Sequence, residues 1–133
     1  MLEWWNYFKI YSEGADAGRA AQDYDKENII EVSTTRLGAY LNRKVDFLKI
    51  DIEGAESEVL MDVKNLLFNV DRIFLEFHSF LGREQMLPEV LSILKASGFR
   101  ININHIGIYS PNPFISIFNY SNMDLQLNIF GYR

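Results

Sequence analysis

Asp46-Phe47-Leu48-Lys49-Ile50-Asp51-Ile52-Glu53-Gly54-Ala55-Glu56 is the stretch on which the fold turns. Asp46 to Asp51 reads as a strand, and Gly54 ends it and opens a helix. Leu60, Val63 and Leu67 then recur near helical spacing, with Ala55 and Val59 toward the same side. Outward from this unit the pattern repeats. Arg72 to Phe77 is a second strand, and Glu84 to Ser97 a helix whose Met86, Leu87, Val90, Leu91 and Leu94 make one apolar face. Pro88 sits early in that helix, where a missing N–H is tolerated, and Gly98 is placed to end it. Phe99 to Asn104 is a third strand. Residues 106–114, with Gly107, Pro111 and Pro113, read as an irregular loop, Ser116 to Asn119 as one arm of it, and Leu125 to Phe130 as a last strand. Upstream, Trp4 to Tyr11 and Ile29 to Val32 read as strands, Ser12 to Lys26 as a loop, and Thr34 or Thr35 as the cap of a short helix reaching Leu41.

Strand, helix, strand, helix, strand is the pattern of right-handed crossovers and a parallel sheet. The last strand follows a hairpin-like connection, so it can enter antiparallel. The expected fold is α/β, with ligands at the C-terminal strand ends.

Two strand ends carry the candidate chemistry. Asp51 and Glu53 are two apart, as are Glu76 and His78, and residues two apart on a strand share a side. Carboxylates that close need a proton, a cation or hydrogen-bond donors. A strand-end histidine beside a carboxylate is a candidate general base. A plainer reading gives Glu53 and Glu56 to the helix N-terminus, where negative charge is favoured, and His78 to a local hydrogen bond. His105, in an irregular segment without an acidic neighbour, reads as structural. Asp51, Glu53, Glu76 and His78 are ligand types that suit Mg²⁺ or Mn²⁺, but their spacing fixes no coordination geometry, so no metal site is assigned. A hydrolase built on Asp51 and Glu53 is disfavoured, because such pairs face each other across a substrate.

Composition narrows the classes further. The 133 residues suit one domain, and 48% hydrophobic residues can build a core. A net charge of -5 without a basic stripe excludes a phosphate-backbone binder. Without cysteine there is no disulfide, thiolate metal site or thiol nucleophile. No apolar run approaches the ~20 residues of a membrane span, and the N-terminus does not read as a signal peptide. Cytoplasm is the default location. No P-loop lysine motif, G-x-S-x-G elbow or H-E-x-x-H occurs.

Val45 to Glu56, followed by Val59-Leu60, resembles the signature of FkbM-type methyltransferases: a strand running into Lys-Ile-Asp-Val-Glu-Gly-Ala-Glu and then a Val-Leu pair. Glu76-Phe77-His78 resembles the Glu-x-His end of that family's next strand. Val32 to Leu41 resembles its Thr-Leu-Asp segment, with Gly38 where the family usually has Asp. The likeness is good over residues 28–104 and looser over 1–27. It implies a partial class I (Rossmann-like) sheet, mostly parallel with an antiparallel last strand, from a full order of 3-2-1-4-5-7-6. Residues 1–133 are then one partial domain, with 1–27 a variable insertion and 28–133 the C-terminal half of the sheet. The glycine loop and ribose-binding acid are expected upstream, which makes Met1 the start of a truncated product, a misassigned start or one piece of a split protein. The implied reaction is S-adenosylmethionine-dependent O-methylation of a small-molecule or sugar hydroxyl. In it His78 is the base, Glu76 orients it, Asp51 lines the cofactor crevice and Glu53 holds the acceptor or a cation. The alternative is a non-catalytic remnant or interaction module. In either case the signature strand is an exposed edge that invites a homo-oligomer.

Overall fold

A computed structural model describes the backbone of residues 7–14, 17–20 and 29–133, and side chains from residue 29 onward. Strands β1 (Tyr7–Gly14), β2 (Ala17–Ala20) and β3 (Ile29–Ser33) form an antiparallel sheet in the order β2-β1-β3. The loop expected over Ser12 to Lys26 is therefore partly strand. The remainder of that loop, and Trp4 to Asn6 of the expected first strand, lie outside the described residues. The expected helix before Leu41 is a single 3₁₀ turn, Leu37–Tyr40, entered through Arg36 rather than Thr34 or Thr35.

The second sheet positions the site. It comprises β4 (Leu48–Ile50), β5 (Arg72–Phe80), β6 (Arg100–Ile106) and β7 (Met123–Tyr132) in the order β4-β5-β7-β6. Helix α1 (Glu56–Val63), extended by a 3₁₀ segment Lys64–Asn69, joins β4 to β5, and α2 (Leu87–Ala96) joins β5 to β6. β4 and β5 are parallel, with Ile50 opposite Leu75. The expectation of a mostly parallel sheet is corrected here. β7 inserts between β5 and β6 and runs against both, so two of the three ladders are antiparallel. The antiparallel last strand is as expected, and β4 lies at one edge of this sheet.

Alternation along β5 separates two faces. Ile73, Leu75 and Phe77 are buried with Leu60, Val63 and Leu67 from the α1 segment, Val90 and Leu94 from α2, and Leu127 and Ile129 from β7. Each such side chain contributes about 1.5–3 kcal/mol by leaving water. The opposite face carries Phe74, Glu76 and His78. There Phe74 meets Phe130 edge-on at 5.2 Å. Gly98 ends α2 with φ 86°, a left-handed conformation glycine adopts without steric cost. Arg133 caps the exposed carbonyl ends nearby, donating to Leu67, Val70 and Ser97 while its guanidinium lies over Phe99. No helix among the described residues is long and apolar enough to cross a membrane.

Candidate active site

Because β4 and β5 run side by side and parallel, Asp51, Glu53, Glu76 and His78 all reach one rim. The chain leaves β4 through two successive left-handed residues, Glu53 at φ 55° and Gly54 at φ 101°. Glycine adopts this freely, whereas glutamate pays roughly 1–2 kcal/mol. A Cβ at Gly54 would also sit 2.7 Å from the Phe80 ring. This turn aims two backbone donors at one acceptor: the N–H groups of Ile52 and Gly54 bond Oε1 of Glu56 at 3.1 and 2.9 Å. The same oxygen lies 3.0 Å from Nδ1 of His78. Glu56 is 1% exposed and His78 5%.

The other ring nitrogen of His78 faces the rim. Nε2 is 3.6 Å from Glu53 Oε2, 3.6 Å from Glu76 Oε1 and 3.4 Å from the Gln126 amide nitrogen. Gln126 also donates to Glu76 Oε1. Lys49 pairs with Asp51 at 3.1 Å. Asp51, Glu76 and His78 each offer one ligand atom within 4.8 Å of the others, so a cation could be held there.

These neighbours set the charge states. Burial opposes the ionised form of Glu56, yet its bonds with His78 and the Gly54 and Ile52 amides prevail, and its pKa falls below the ordinary carboxylate value. Burial likewise opposes the charged ring of His78. The Glu56 hydrogen bond and the charges of Glu56, Glu53 and Glu76 outweigh it and raise the His78 pKa. Burial pushes the Glu53 pKa up; His78 counters this, while Asp51, Glu56 and Glu76 add to it.

The sequence reading placed Asp51, Glu53, Glu76 and His78, and the structure brings all four together. It did not place two residues. Glu56, read as a helix-terminus charge, is buried against His78. Its signal was present: it lies four residues before Leu60 and seven before Val63, on the apolar stripe of α1. Gln126 is the cross-strand partner of His78 and is found only once β7 is known to lie beside β5. His78 also lines a cavity of about 220 Å³, together with Gly54, Ser57, Phe80, Arg83 and Met86.

The model of the methyltransferase FkbM domain matches residues 4–101. The chain belongs to the FkbM methyltransferase family. The match takes in the strand–turn–helix signature and the Glu-x-His strand end, the two segments that meet at the rim. It reaches further toward the N-terminus than the 28–104 likeness in the sequence. Membership in the FkbM family indicates methyl transfer. No curated protein and no solved structure matches the chain.

Proposed function

We propose that the chain carries the base and acceptor side of an S-adenosylmethionine-dependent O-methyl transfer, acting on a small-molecule or sugar hydroxyl as part of a longer chain. The observation that carries this reading is Nε2 of His78, buried, held from behind through Nδ1, and turned toward a rim of carboxylates. The donor supplies a methyl group on a positively charged sulfur. A rim with Asp51, Glu53 and Glu76, where Lys49 pairs with Asp51, suits a cation.

Because the methyl group is already activated, the residues have two tasks: alignment and removal of one proton. With the donor bound, His78 Nε2 would take the proton of the acceptor hydroxyl as the hydroxyl oxygen bonds to the methyl carbon and the carbon–sulfur bond breaks, the sulfur leaving as a neutral thioether. Glu53 and Glu76 stabilise the imidazolium that forms. Asp51 borders the donor, and Glu53 also accepts a hydrogen bond from the acceptor. The cavity at Phe80 and Ser57 receives the rest of the acceptor, with an apolar ring and hydroxyls suited to a sugar-like molecule.

Calorimetric titration of the chain with S-adenosylmethionine tests donor binding. Release of S-adenosylhomocysteine in the presence of a panel of sugar and polyol acceptors tests transfer. A His78→Ala chain turning over at the wild-type rate would end the base assignment. The edge position of β4 favours one addition to this reading: further strands, from more of the same protein or from a second copy, complete the sheet. Light scattering that finds a monodisperse monomer would count against the second copy.

A further inference from the structure

We infer that Glu56 is the positioning residue of His78, fixing the ring proton on Nδ1 so that Nε2 is the atom presented to the acceptor. What Nε2 then does rests on the methyl-transfer reading; the positioning itself does not.

Glu76 is the obvious rival, two residues from His78 on the same strand. Its Oε1 lies 3.6 Å from Nε2, the wrong nitrogen, and is taken by the Gln126 amide. Glu53 also approaches Nε2, at 3.6 Å. Among the described carboxylates, Glu56 is the one that lies against Nδ1, at 3.0 Å. Its oxygen already accepts two backbone N–H groups and has no proton to give, so the hydrogen on that contact belongs to the ring. The neutral ring is therefore the Nδ1–H form, with its lone pair on Nε2. The Gln126 amide suits this, since its N–H₂ faces that lone pair at 3.4 Å.

The same oxygen explains the spacing of the signature. Left-handed Glu53 and Gly54 turn two amides inward, and Glu56 at the start of α1 receives them. One carboxylate oxygen thus fastens the turn bearing Asp51 and Glu53 to the strand bearing His78. A base oriented by a carboxylate on its far nitrogen is a recurrent catalytic device, because the carboxylate fixes the tautomer and stabilises the imidazolium formed in the reaction.

The chain has two histidines, so both imidazoles can be read separately by nitrogen-15 NMR. Exposed His105 serves as the internal reference. In the wild-type chain the neutral ring of His78 is expected to carry its proton on Nδ1. In Glu56→Ala this preference is lost and His78 shows the mixture seen for His105; in Glu76→Gln it is retained. Glu56→Gln keeps an oxygen for the two amides and for Nδ1–H but removes the charge. It should fold, keep the tautomer and lose about tenfold in kcat with KM held, the difference between a charged and a neutral acceptor. An Nε2–H ring in the wild-type chain overturns the inference, as does a tautomer that follows Glu76 rather than Glu56. If Glu56→Ala fails to fold, the wild-type tautomer and Glu56→Gln still decide. An Nδ1–H ring in a chain that turns over no methyl donor upholds the positioning and counts only against the proposed function.

Discussion

The two histidines lie near each other and differ in almost everything else. His78 on β5 pairs with Gln126 of β7, and His105 on β6 pairs with Leu127, the next residue along the same strand. Successive residues of a strand face opposite ways, so the two rings lie on opposite sides of the sheet. His78 is buried and contacts Glu53, Glu56, Glu76 and Gln126. His105 is exposed and meets the Tyr109 ring edge-on at 5.8 Å. The residue type is the same; what makes one of them a candidate base is a carboxylate from the preceding helix and another from a left-handed turn.

The largest expected effect breaks the comparison outright if it fails. His78→Ala should lower methyl transfer by about 10²–10⁴-fold, the usual contribution of a positioned base. His105→Ala should leave the rate unchanged and stability within about 0.5 kcal/mol. Steady-state kinetics on both variants, with urea denaturation alongside, checks this. Equal losses would mean that burial among carboxylates is not what distinguishes the two.

Next in size is the partner behind His78. Glu56→Ala leaves a buried imidazole and two inward-facing amides without their acceptor, and should cost about 3–5 kcal/mol. Equilibrium urea unfolding measures it. A cost below ~1 kcal/mol would put Glu56 among ordinary helix-terminus charges, which contribute about that much.

The pH dependence sharpens the same point. Glu56 titrates lower in the folded chain, so its contribution is present above the ordinary carboxylate range and is lost as pH falls through the depressed value. His78 titrates higher, so its contribution is full below its ordinary value and is lost as pH rises through the raised one. Thermal melts should therefore show the pair's stabilisation between those limits and a decline on both sides, flattened in Glu56→Gln. Turnover should behave differently on the alkaline side. The base must shed its proton to act, so the rate should climb with pH while the stabilisation from the pair declines.

Much of this site was legible because strand ends announce themselves. Asp51 and Glu53, and Glu76 and His78, are paired by a period of two, and the crossover pattern places β4 beside β5. The place of β7 between β5 and β6 was not legible from local pattern and came only with the strand order that the family resemblance implied; that pairing brings Gln126 to His78. The end of β1 and the whole of β2 were read as a loop because Gly14 and Gly18 outweigh a short, small-residue strand. Glu56 begins α1 as read, but its burial was missed for a different reason: a carboxylate at the start of a helix has a sufficient local explanation, and its burial depends on a partner 22 residues away. The left-handed Glu53 could not be foreseen, because glutamate has no preference for that conformation.

The smallest effect tests the turn that holds this arrangement together, and the molecule supplies its own control. Gly54 and Gly82 both have left-handed backbones, φ 101° and 81°. A Cβ on Gly82 meets nothing within 4 Å, whereas on Gly54 it meets the Phe80 ring at 2.7 Å. Gly82→Ala should therefore show backbone strain alone, on the order of 1–2 kcal/mol. Gly54→Ala should add the cost of moving Phe80, over which Arg83 lies at 5.1 Å, for a total of about 2–4 kcal/mol. It should also disturb the His78 tautomer, because the Gly54 amide is one of the donors that fix Glu56. If both alanine variants lose the same stability and His78 is unmoved in each, the turn bends the chain without holding the base, and the link from Gly54 through Glu56 to His78 is broken at its first step.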